Sequence, residues 1–300
     1  MPSLGDLIDE VTATLAGYTS DIPAQATLVD SVTDTDNVLV LDFGDGVTNV
    51  RPSGLVEIDR ELLMVSRWDA STGTAVVPPW GRGQRGTKPV AHAAGSRVTV
   101  RPRFPRQSVA NVINEVIGGM APDLHGVVDL DPIVINAIPD EAYPLPANTL
   151  KVLRIEAEVN TVYPHRQLIT NYRVNTKASG MELELQHRLI QPYMWQTLTV
   201  TVATTPGRLV DDTDDYCTVT GLDQSTSDIP VLGAMARMVL AIEAARAQVA
   251  TVEANTRSDR VAPGSVANLS KMYQALYTQR LANEVAAIQS RYPLVIRRIG

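Results

Sequence analysis

The chain has 300 residues, of which 44% are apolar, and its formal net charge is −7 at pH 7. That acidic balance argues against a general nucleic-acid-binding protein, which usually carries a basic stripe along a groove or helix. The single cysteine, Cys217, excludes an intrachain disulfide and a thiolate metal cluster.

Signals for export or membrane insertion are not visible in the sequence. No apolar run approaches the roughly 20 residues that are needed to span a bilayer. The first residues, Met1 to Asp6, contain neither the positive region nor the apolar stretch of a secretory signal. We therefore expect a protein that is made in the cytoplasm and has no membrane-spanning segment.

Charge is unevenly distributed along the chain. Residues 1–50 hold nine acids and no base, whereas residues 51–106 hold ten Lys and Arg against four acids. Such an uneven distribution of charge gives different parts of the protein surface different electrostatic fields. These fields steer the association of molecules and do not decide the fold. Interaction with other molecules is therefore the first functional hypothesis.

Helical spacing predicts two helices in the first 120 residues. Ser3 can cap the first helix and Gly17 can end it, with the apolar face formed by Leu4, Leu7, Ile8, Val11 and Leu15. A second helix is expected from Ser108 to Ile117. Gly118 and Gly119 are expected to stop that helix.

Between these helices, residues 23–104 predict a small β domain. Short alternating patterns are separated by turn residues, which is typical of antiparallel strands. The stretch from Leu55 to Val65 continues this strand pattern. Three hundred residues also exceed what one hydrophobic core usually organises, so a further domain or a large insertion is expected.

That insertion is predicted at residues 122–227, where successive strand patterns indicate a β-sandwich. Its strands are expected at Leu150 to Val159, Gln167 to Val174, Met181 to Leu189 and Thr197 to Ala203. Cys217 is assigned to a further strand.

The last part of the chain predicts an antiparallel helical hairpin. One long helix begins at Asp228 or Ile229, and Ser265 caps a second helix after a turn from Arg257 to Gly264. Met272 and Leu276 are expected on the inward face of that second helix.

Taken in order, these elements predict an α+β fold. It consists of a helical bundle, built from the N-terminal helix, the central helix and the C-terminal helix pair, with a small β domain and an inserted β-sandwich. The expected segments are the N-terminal helix at 1–22, the β domain with its basic glycine-rich loop at 23–104, the central helix at 105–121, the inserted sandwich at 122–227, and the C-terminal hairpin and tail at 228–300.

The glycine-rich loop matches two nucleotide-binding motifs only superficially. Gly81 to Gly86 spells G-x-G-x-x-G, but that motif needs a following helix whose N-terminus meets a phosphate. Pro78 and Pro79 precede the loop here, and a strand follows it. Lys88 and Thr87 stand in the reverse of the order that a P-loop requires. We therefore predict no nucleotide cofactor.

Metal and catalytic motifs are equally weak. Asp211 to Asp215 could gather oxygen ligands for calcium, although a solvated turn explains these residues better because the spacing does not match an EF-hand. The four histidines form no pair with metal-ligand spacing. Cys217 has no histidine near it in sequence, and no G-x-S-x-G motif is present. We predict no catalytic, metal-binding or cofactor-binding residues.

Aromatic residues suggest a second reading of the sandwich. Exposed rings there could stack on sugars, although core packing explains them equally well: Tyr163, Tyr172, Tyr193 and Trp195. Trp68 and Trp80 flank the first β unit, and we expect them to fill its core or to anchor the basic loop.

One longer pattern resembles a known family. The run from Glu57 to Val65, then Trp80 to Thr87, then Ala91 to Val98 is similar to a segment of head-to-tail adaptor (connector) proteins of long-tailed bacteriophages. In that family, a phrase of the form I-x-x-E-x-M-x-V, R-G-x-x-G-T and H-x-x-G introduces a proline-containing turn and a helix. Arg103 to Arg106 and the helix from Ser108 to Ile117 continue the pattern.

The resemblance implies a non-enzymatic structural protein of the virion neck. It implies a ring, commonly of about twelve copies, that joins the portal to a stopper or tail-completion protein and lets genomic DNA pass without sequence-specific contact. The basic loop would then dock on an adjacent subunit or on the portal through glycines and planar guanidinium groups. The predicted partner-binding residues are Arg82, Gly83, Gln84, Arg85, Gly86, Thr87 and His92.

Two alternatives to this function stay open at the level of sequence. The chain could be a tail or baseplate component whose sandwich binds carbohydrate or protein on a host surface. It could also be a hydrolase that acts through a carboxylate pair without a recognisable motif.

Overall fold

In a computed structural model of the chain, the described residues are 1–17, 23–44, 52–134, 142–159, 165–170, 172–178, 180–185, 195–252 and 265–292. The chain divides into two compact units. One comprises Ile8–Ile113, and the other comprises Met1–Leu7 together with Asn114–Gly300.

The unit Ile8–Ile113 is built on one curled sheet of seven strands, all of whose neighbours are antiparallel. The strand order is β4-β3-β7-β1-β2-β6-β5. The strands are β1 (Gln25–Leu28), β2 (Val38–Asp42), β3 (Gly54–Ile58), β4 (Glu61–Val65), β5 (Arg67–Asp69), β6 (Thr74–Val76) and β7 (Arg97–Val100).

Alternation along these strands produces the core of the unit. Every second residue of β1 and β2 is buried, as expected where one face of a sheet packs inward and the other faces solvent. Leu28, Leu39, Val56, Ile58 and Val98 belong to one buried cluster. Burial of such side chains from water is the main force that holds the sheet together.

The strand pattern predicted from Leu55 to Val65 is divided between two strands, β3 and β4. The chain turns at Asp59, whose φ of 51° lies in the left-handed region, and β3 and β4 pair as a hairpin. An apolar pattern can continue through a tight turn, because the two strands of a hairpin bury the same face. The turn brings the Asp59 and Glu61 positions to one end of the hairpin.

Helix α1 (Leu4–Ala16) begins with the predicted cap. The Asp6 carboxylate accepts hydrogen bonds from the Ser3 amide at 2.8 Å and hydroxyl at 3.0 Å, and the Ser3 hydroxyl oxygen accepts from the Asp6 amide at 3.2 Å. This reciprocal arrangement satisfies amide groups that the helix itself cannot satisfy. The predicted N-terminal helix is therefore confirmed.

Helix α2 (Arg106–Met120) continues through the two glycines that were predicted to stop it. A glycine inside a helix costs only about 1 kcal/mol relative to alanine. Val116, Ile117 and Met120 are buried on the opposite side of this last turn, and their burial outweighs that cost.

The second unit contains two sheets. A five-stranded sheet has the path β12-β11-β15-β8, with β9 also paired to β15, and a three-stranded sheet has the order β10-β14-β13. The strands are β8 (Gly126–Asp129), β9 (Ile133–Val134), β10 (Tyr143–Pro144), β11 (Thr149–Val159), β12 (His165–Leu168), β13 (Tyr172–Lys177), β14 (Gly180–Leu185) and β15 (Trp195–Thr204). Residues of both sheets, among them Ile155, Leu183 and Val200, share one buried cluster.

Two details of the predicted strands are corrected. The strand expected from Gln167 to Val174 is split between β12 and β13, which belong to different sheets. Cys217 lies in the short helix α3 (Tyr216–Thr220), not in a strand. The Asp215 side chain caps that helix by accepting from the Thr218 amide at 2.8 Å, a local contact that overrides strand propensity.

Two long helices complete the second unit, α4 (Asp228–Val252) and α5 (Ser265–Arg291). They pack antiparallel, since Arg280 donates to Asp228 at 2.8 Å and Ser270 donates to the Ala236 carbonyl at 2.9 Å. The predicted turn from Arg257 to Gly264 lies outside the described residues. Within the described ranges, no helix combines the length and the apolar character that a membrane crossing requires.

The predicted fold class is wrong. The described residues form a mixed α/β protein with five helices and a curled seven-stranded half-barrel sheet, and not a helical bundle with a small β domain. Helical periodicity predicts the apolar side of a helix but not the element that covers it. Met272 and Leu276, which were expected to face inward, are exposed.

Candidate functional site

The basic loop between β6 and β7 folds back against the hairpin of β3 and β4. Gly81 makes the closest approach: its amide donates to the Pro78 carbonyl and its carbonyl accepts from the Met64 amide, each at 2.7 Å. A Cβ atom added at Gly81 would lie 2.7 Å from Pro78 Cδ and 2.8 Å from the Met64 carbonyl oxygen. Only glycine allows the loop to lie this close to β4.

Glu61, the first residue of β4, is the centre of the site. Its side chain is 0% exposed and accepts five hydrogen bonds. Oε1 accepts from Arg82 Nε at 2.8 Å and the Gly83 amide at 3.0 Å. Oε2 accepts from Arg82 Nη2 at 2.9 Å and the Val90 amide at 3.1 Å, and lies 2.9 Å from His92 Nε2.

Arg82 uses all five of its N–H donors inside the chain. Besides the two bonds to Glu61, Nη1 donates to the carbonyl oxygens of Thr33 at 2.8 Å and Asp36 at 3.0 Å. Nη2 also donates to the Val90 carbonyl at 2.6 Å. One guanidinium group therefore joins the hairpin, the loop and the segment that precedes β2.

His92 lies between two carboxylates. Its Nδ1 is 2.8 Å from Asp59 Oδ2, on the opposite side of the ring from Glu61. Both ring nitrogens can donate at once only when the imidazole is protonated. Its backbone exchanges two hydrogen bonds of 2.9 Å with the backbone of Val32. The main chain that carries the imidazole ring is therefore also held in place.

Electrostatics favour the charged forms of Glu61, His92 and Asp59. Burial would raise the pKa of Glu61, but the hydrogen bonds from Arg82, His92 and the two amides lower it to about 2. Burial would lower the pKa of His92, but the bonds to Asp59 and Glu61 raise it above its ordinary value. The His92 hydrogen bond likewise lowers the pKa of Asp59. Two anions thus balance two cations.

The tip of the loop is fixed by a second set of contacts. Gln84–Gly86 form a short 3-10 turn in which Arg85 has a φ of 54°. The Thr87 hydroxyl accepts from the Leu62 amide at 3.1 Å and donates to the Gln84 carbonyl at 2.9 Å. Gln84 Nε2 donates to the Trp80 carbonyl at 2.7 Å. The side chains of Gln84 and Thr87 therefore hold the tip of the loop in place.

Several side chains of this fixed loop face solvent, and four of them are large or charged. The Trp80 indole is 66% exposed, Val90 is 45% exposed, and Arg85 and Lys88 are exposed beside them in sequence. We call Trp80, Arg85, Lys88 and Val90 the loop surface. Trp68, by contrast, packs edge-to-face on Phe43 with ring centroids 5.7 Å apart. Of the two roles expected for the tryptophans, filling the core describes Trp68, whereas Trp80 lies exposed on the basic loop.

The structure divides the seven residues that were predicted to bind a partner. Arg82 and His92 are buried in the Glu61 cluster, while Gly83, Gln84 and Thr87 contribute bonds that hold the loop. Arg85 and Gly86 are exposed. A partner-binding role for these residues stays a prediction. Arg85 is the charged residue among them that a partner can reach directly, because its side chain is exposed.

Sequence reasoning missed Glu61, the residue that organises the site. The available signal was an acid at the start of an apolar run, directly before Leu62 and Leu63, where strand alternation alone gives it no reason to be buried. A buried carboxylate needs charged or donor partners. On that basis, Arg82 and His92 of the downstream motif could have been predicted as the partners of Glu61.

The other candidates from sequence have structural roles. The Asp214 carboxylate accepts from the amides of Val210 at 2.6 Å and Asp211 at 2.9 Å. Among the described residues, no group of three or more His, Cys, Asp or Glu side chains is placed to hold a metal. Of the aromatic residues considered for sugar stacking, Tyr163 and Tyr193 lie outside the described residues, and Tyr172 is half-buried against the core of the second unit.

No protein-family model matches the chain, and no curated protein matches it.

Proposed function

We propose that this chain is a non-enzymatic structural adaptor in the neck of a long-tailed bacteriophage. In this role it forms a ring beneath the portal, joins the capsid to the tail and continues the channel through which DNA passes. One observation supports a docking role above the others. The buried Glu61 cluster fixes a loop that leaves a tryptophan 66% exposed.

The cluster is better suited to fixing a geometry than to adding stability. Buried ions lose hydration, and that cost is offset only when every charge is paired and hydrogen-bonded. Glu61 and Arg82 meet this condition with five hydrogen bonds each, counting the two that they share. A loop held in its binding conformation loses less entropy when a partner binds.

The loop surface has the chemistry of a protein-binding site. Tryptophan and arginine are enriched among the residues that dominate interface energies. The Arg85 guanidinium can bind a carboxylate through two parallel hydrogen bonds, and Lys88 adds a second positive charge. The partner surface we propose is therefore acidic around an apolar pocket that receives Trp80. The portal, or the stopper or tail-completion protein, would supply it.

Binding of the full chain to purified portal and purified stopper from the same phage tests this role. Trp80→Ala and Arg85→Glu are each expected to weaken binding to one of them by at least about 2 kcal/mol, or roughly 30-fold. The matched controls are Leu168→Ala, at an exposed apolar side chain elsewhere, and Arg67→Glu, at an exposed arginine of the same unit. Both controls should bind as the unchanged protein does.

Electron microscopy of phage particles gives an independent readout. Removal of the chain should leave filled heads and free tails, and rings should be seen in the neck of the complete particle. The adaptor role would be overturned if tails join heads without the chain. The docking role of the loop surface would be overturned if both loop variants bind each partner normally.

A further inference from the structure

A cleft of about 390 Å³ lies on the unit Ile8–Ile113, apart from the loop surface. It is lined by residues of α1, β1, β3 and β7 and by the segment that precedes α2. Its volume is in the range of roughly 300–1,000 Å³ that is usual for binding pockets. The polar and aromatic side chains that line it include Asp9, Glu57, Arg97, Arg103, Phe104 and Arg106.

The two carboxylates of the cleft are already engaged. Glu57 is buried and accepts from the Arg106 amide at 2.6 Å, at the first turn of α2. Asp9 forms an ion pair with Arg106 and lies 3.7 Å from Arg97. Arg103 is exposed and has no hydrogen bond or ion pair with any residue that the structure describes. Among the described residues, the cleft therefore offers the Arg103 guanidinium group without a partner, with Phe104 next to it in the chain.

The same unit carries a fixed acidic segment, residues 30–36, which we call the acidic loop. The Asp36 carboxylate accepts from the Thr33 amide at 2.7 Å, and Arg82 donates hydrogen bonds to the carbonyl oxygens of both residues. Asp30 and Asp34 are exposed, and neither is paired with another residue in the described ranges. Asp34 lies in the turn at the tip, where a partner can reach it.

Strand β1 separates the two features. Gln25, its first residue, lines the cleft, and the acidic loop follows its last residue, Leu28. Four strand residues span about 10 Å to 13 Å. Arg82 and the backbone pairing of Val32 with His92 hold the acidic loop at the far end of the strand. The acidic loop is therefore held by contacts with Arg82 and His92, and none of its residues is among those that line the cleft of the same copy.

We propose that the cleft of one copy receives the acidic loop of a second copy, with Asp34 paired to Arg103. A carboxylate and a guanidinium form two parallel hydrogen bonds, and Phe104 excludes water on one side. Because the two surfaces differ, the contact is heterologous and repeats from copy to copy, which closes a ring or extends a filament. This contact does not depend on the docking role of the loop surface.

Charge exchange between the two surfaces tests the contact. Sedimentation velocity of the full chain at about 50 mM salt should show self-association that weakens at about 500 mM, because salt screens exposed charges. Arg103→Glu alone and Asp34→Arg alone should each weaken association at least about tenfold. An equimolar mixture of the two variants should associate again, since each variant then supplies the complement of the other.

Controls separate this contact from general charge effects and from the loop surface. Arg173→Glu makes the same change at an exposed arginine of the other unit and should associate normally. Trp80→Ala and Arg85→Glu should also associate normally, even where they fail to bind portal or stopper. The proposal is overturned if the unchanged chain stays monomeric at low salt. It is equally overturned if the mixture stays monomeric, as it would if the cleft bound a different acidic protein or a phosphate group.

Discussion

Arg82 Nε and Nη2 donate to the two carboxylate oxygens of Glu61 at 2.8 and 2.9 Å, and these side chains are 5% and 0% exposed. The pair joins residues 21 positions apart and fixes the basic loop against the hairpin of β3 and β4. An arginine that the sequence offers as a contact for partners is thus used inside the chain. The variants that test function must therefore be separated from those that test folding.

Arg82→Ala should destabilise the protein, whereas Arg85→Ala should not. Removal of Arg82 leaves Glu61 buried without its main charge partner, a change that costs about 3–5 kcal/mol. Arg85 is exposed, so its removal should change the free energy of unfolding by less than about 0.5 kcal/mol. Urea denaturation of the two variants measures the difference. Equal stability would mean that the ion pair does not hold the loop.

Glu61→Gln should loosen the loop at two defined amides. Gly83 and Val90 donate to different oxygens of Glu61, and glutamine keeps only one of these oxygens, because its amide nitrogen is a donor that cannot accept from the other amide. Hydrogen exchange of at least one of these amides should become faster, because local opening costs less free energy. The Met64 amide, which donates to the Gly81 carbonyl, is the internal reference. Unchanged exchange at both Gly83 and Val90 would contradict the assignment.

Stability should depend on pH through His92 and Glu61 in opposite directions. The folded pKa of His92 is raised, so its contribution is complete below the unfolded value of 6.5 and is lost as pH rises through the folded value. The folded pKa of Glu61 is lowered from 4.5 to about 2, so its contribution is present above pH 4.5 and is lost toward pH 2. The cluster therefore stabilises most between pH 4.5 and 6.5.

His92→Asn checks the alkaline half of this dependence. The free energy of unfolding of the unchanged chain should fall as pH rises above 6.5, and that decline should be smaller in the variant, which has no titratable group there. The measurement is a series of urea denaturation curves from pH 5 to about pH 9. Parallel declines in both proteins would assign the pH dependence to other groups.

Two glycines should respond to alanine in opposite ways. At Gly81 a Cβ meets the Met64 carbonyl oxygen at 2.8 Å, so Gly81→Ala should cost about 1–3 kcal/mol, as other overpacked sites do. At Gly118, inside α2, a Cβ meets no atom within 4 Å, so Gly118→Ala should stabilise the chain by about 0.5–1 kcal/mol. Thermal denaturation should give Gly81→Ala a lower melting temperature, and Gly118→Ala a higher one, than the unchanged protein. Stabilisation by Gly81→Ala would show that the loop lies farther from β4.

Local patterns in the sequence located several helices and strands. The cap at Ser3 and the two long C-terminal helices follow from residue spacing over one or two turns, and the structure confirms them. Spacing of this kind depends on near neighbours, so it can be read from the chain directly. It could not show that Leu55 to Val65 bends at Asp59, because both strands of the hairpin bury the same face.

The sequence by itself determined where the basic, glycine-rich segment lies and that its surroundings are acidic. Tertiary structure alone decided which of its charged residues are buried. Glu61 and His92 are 31 positions apart, and no periodic pattern connects them. Their contact exists because the seven-stranded sheet brings the hairpin and the loop together, and a buried carboxylate then requires the charges of Arg82 and His92 beside it.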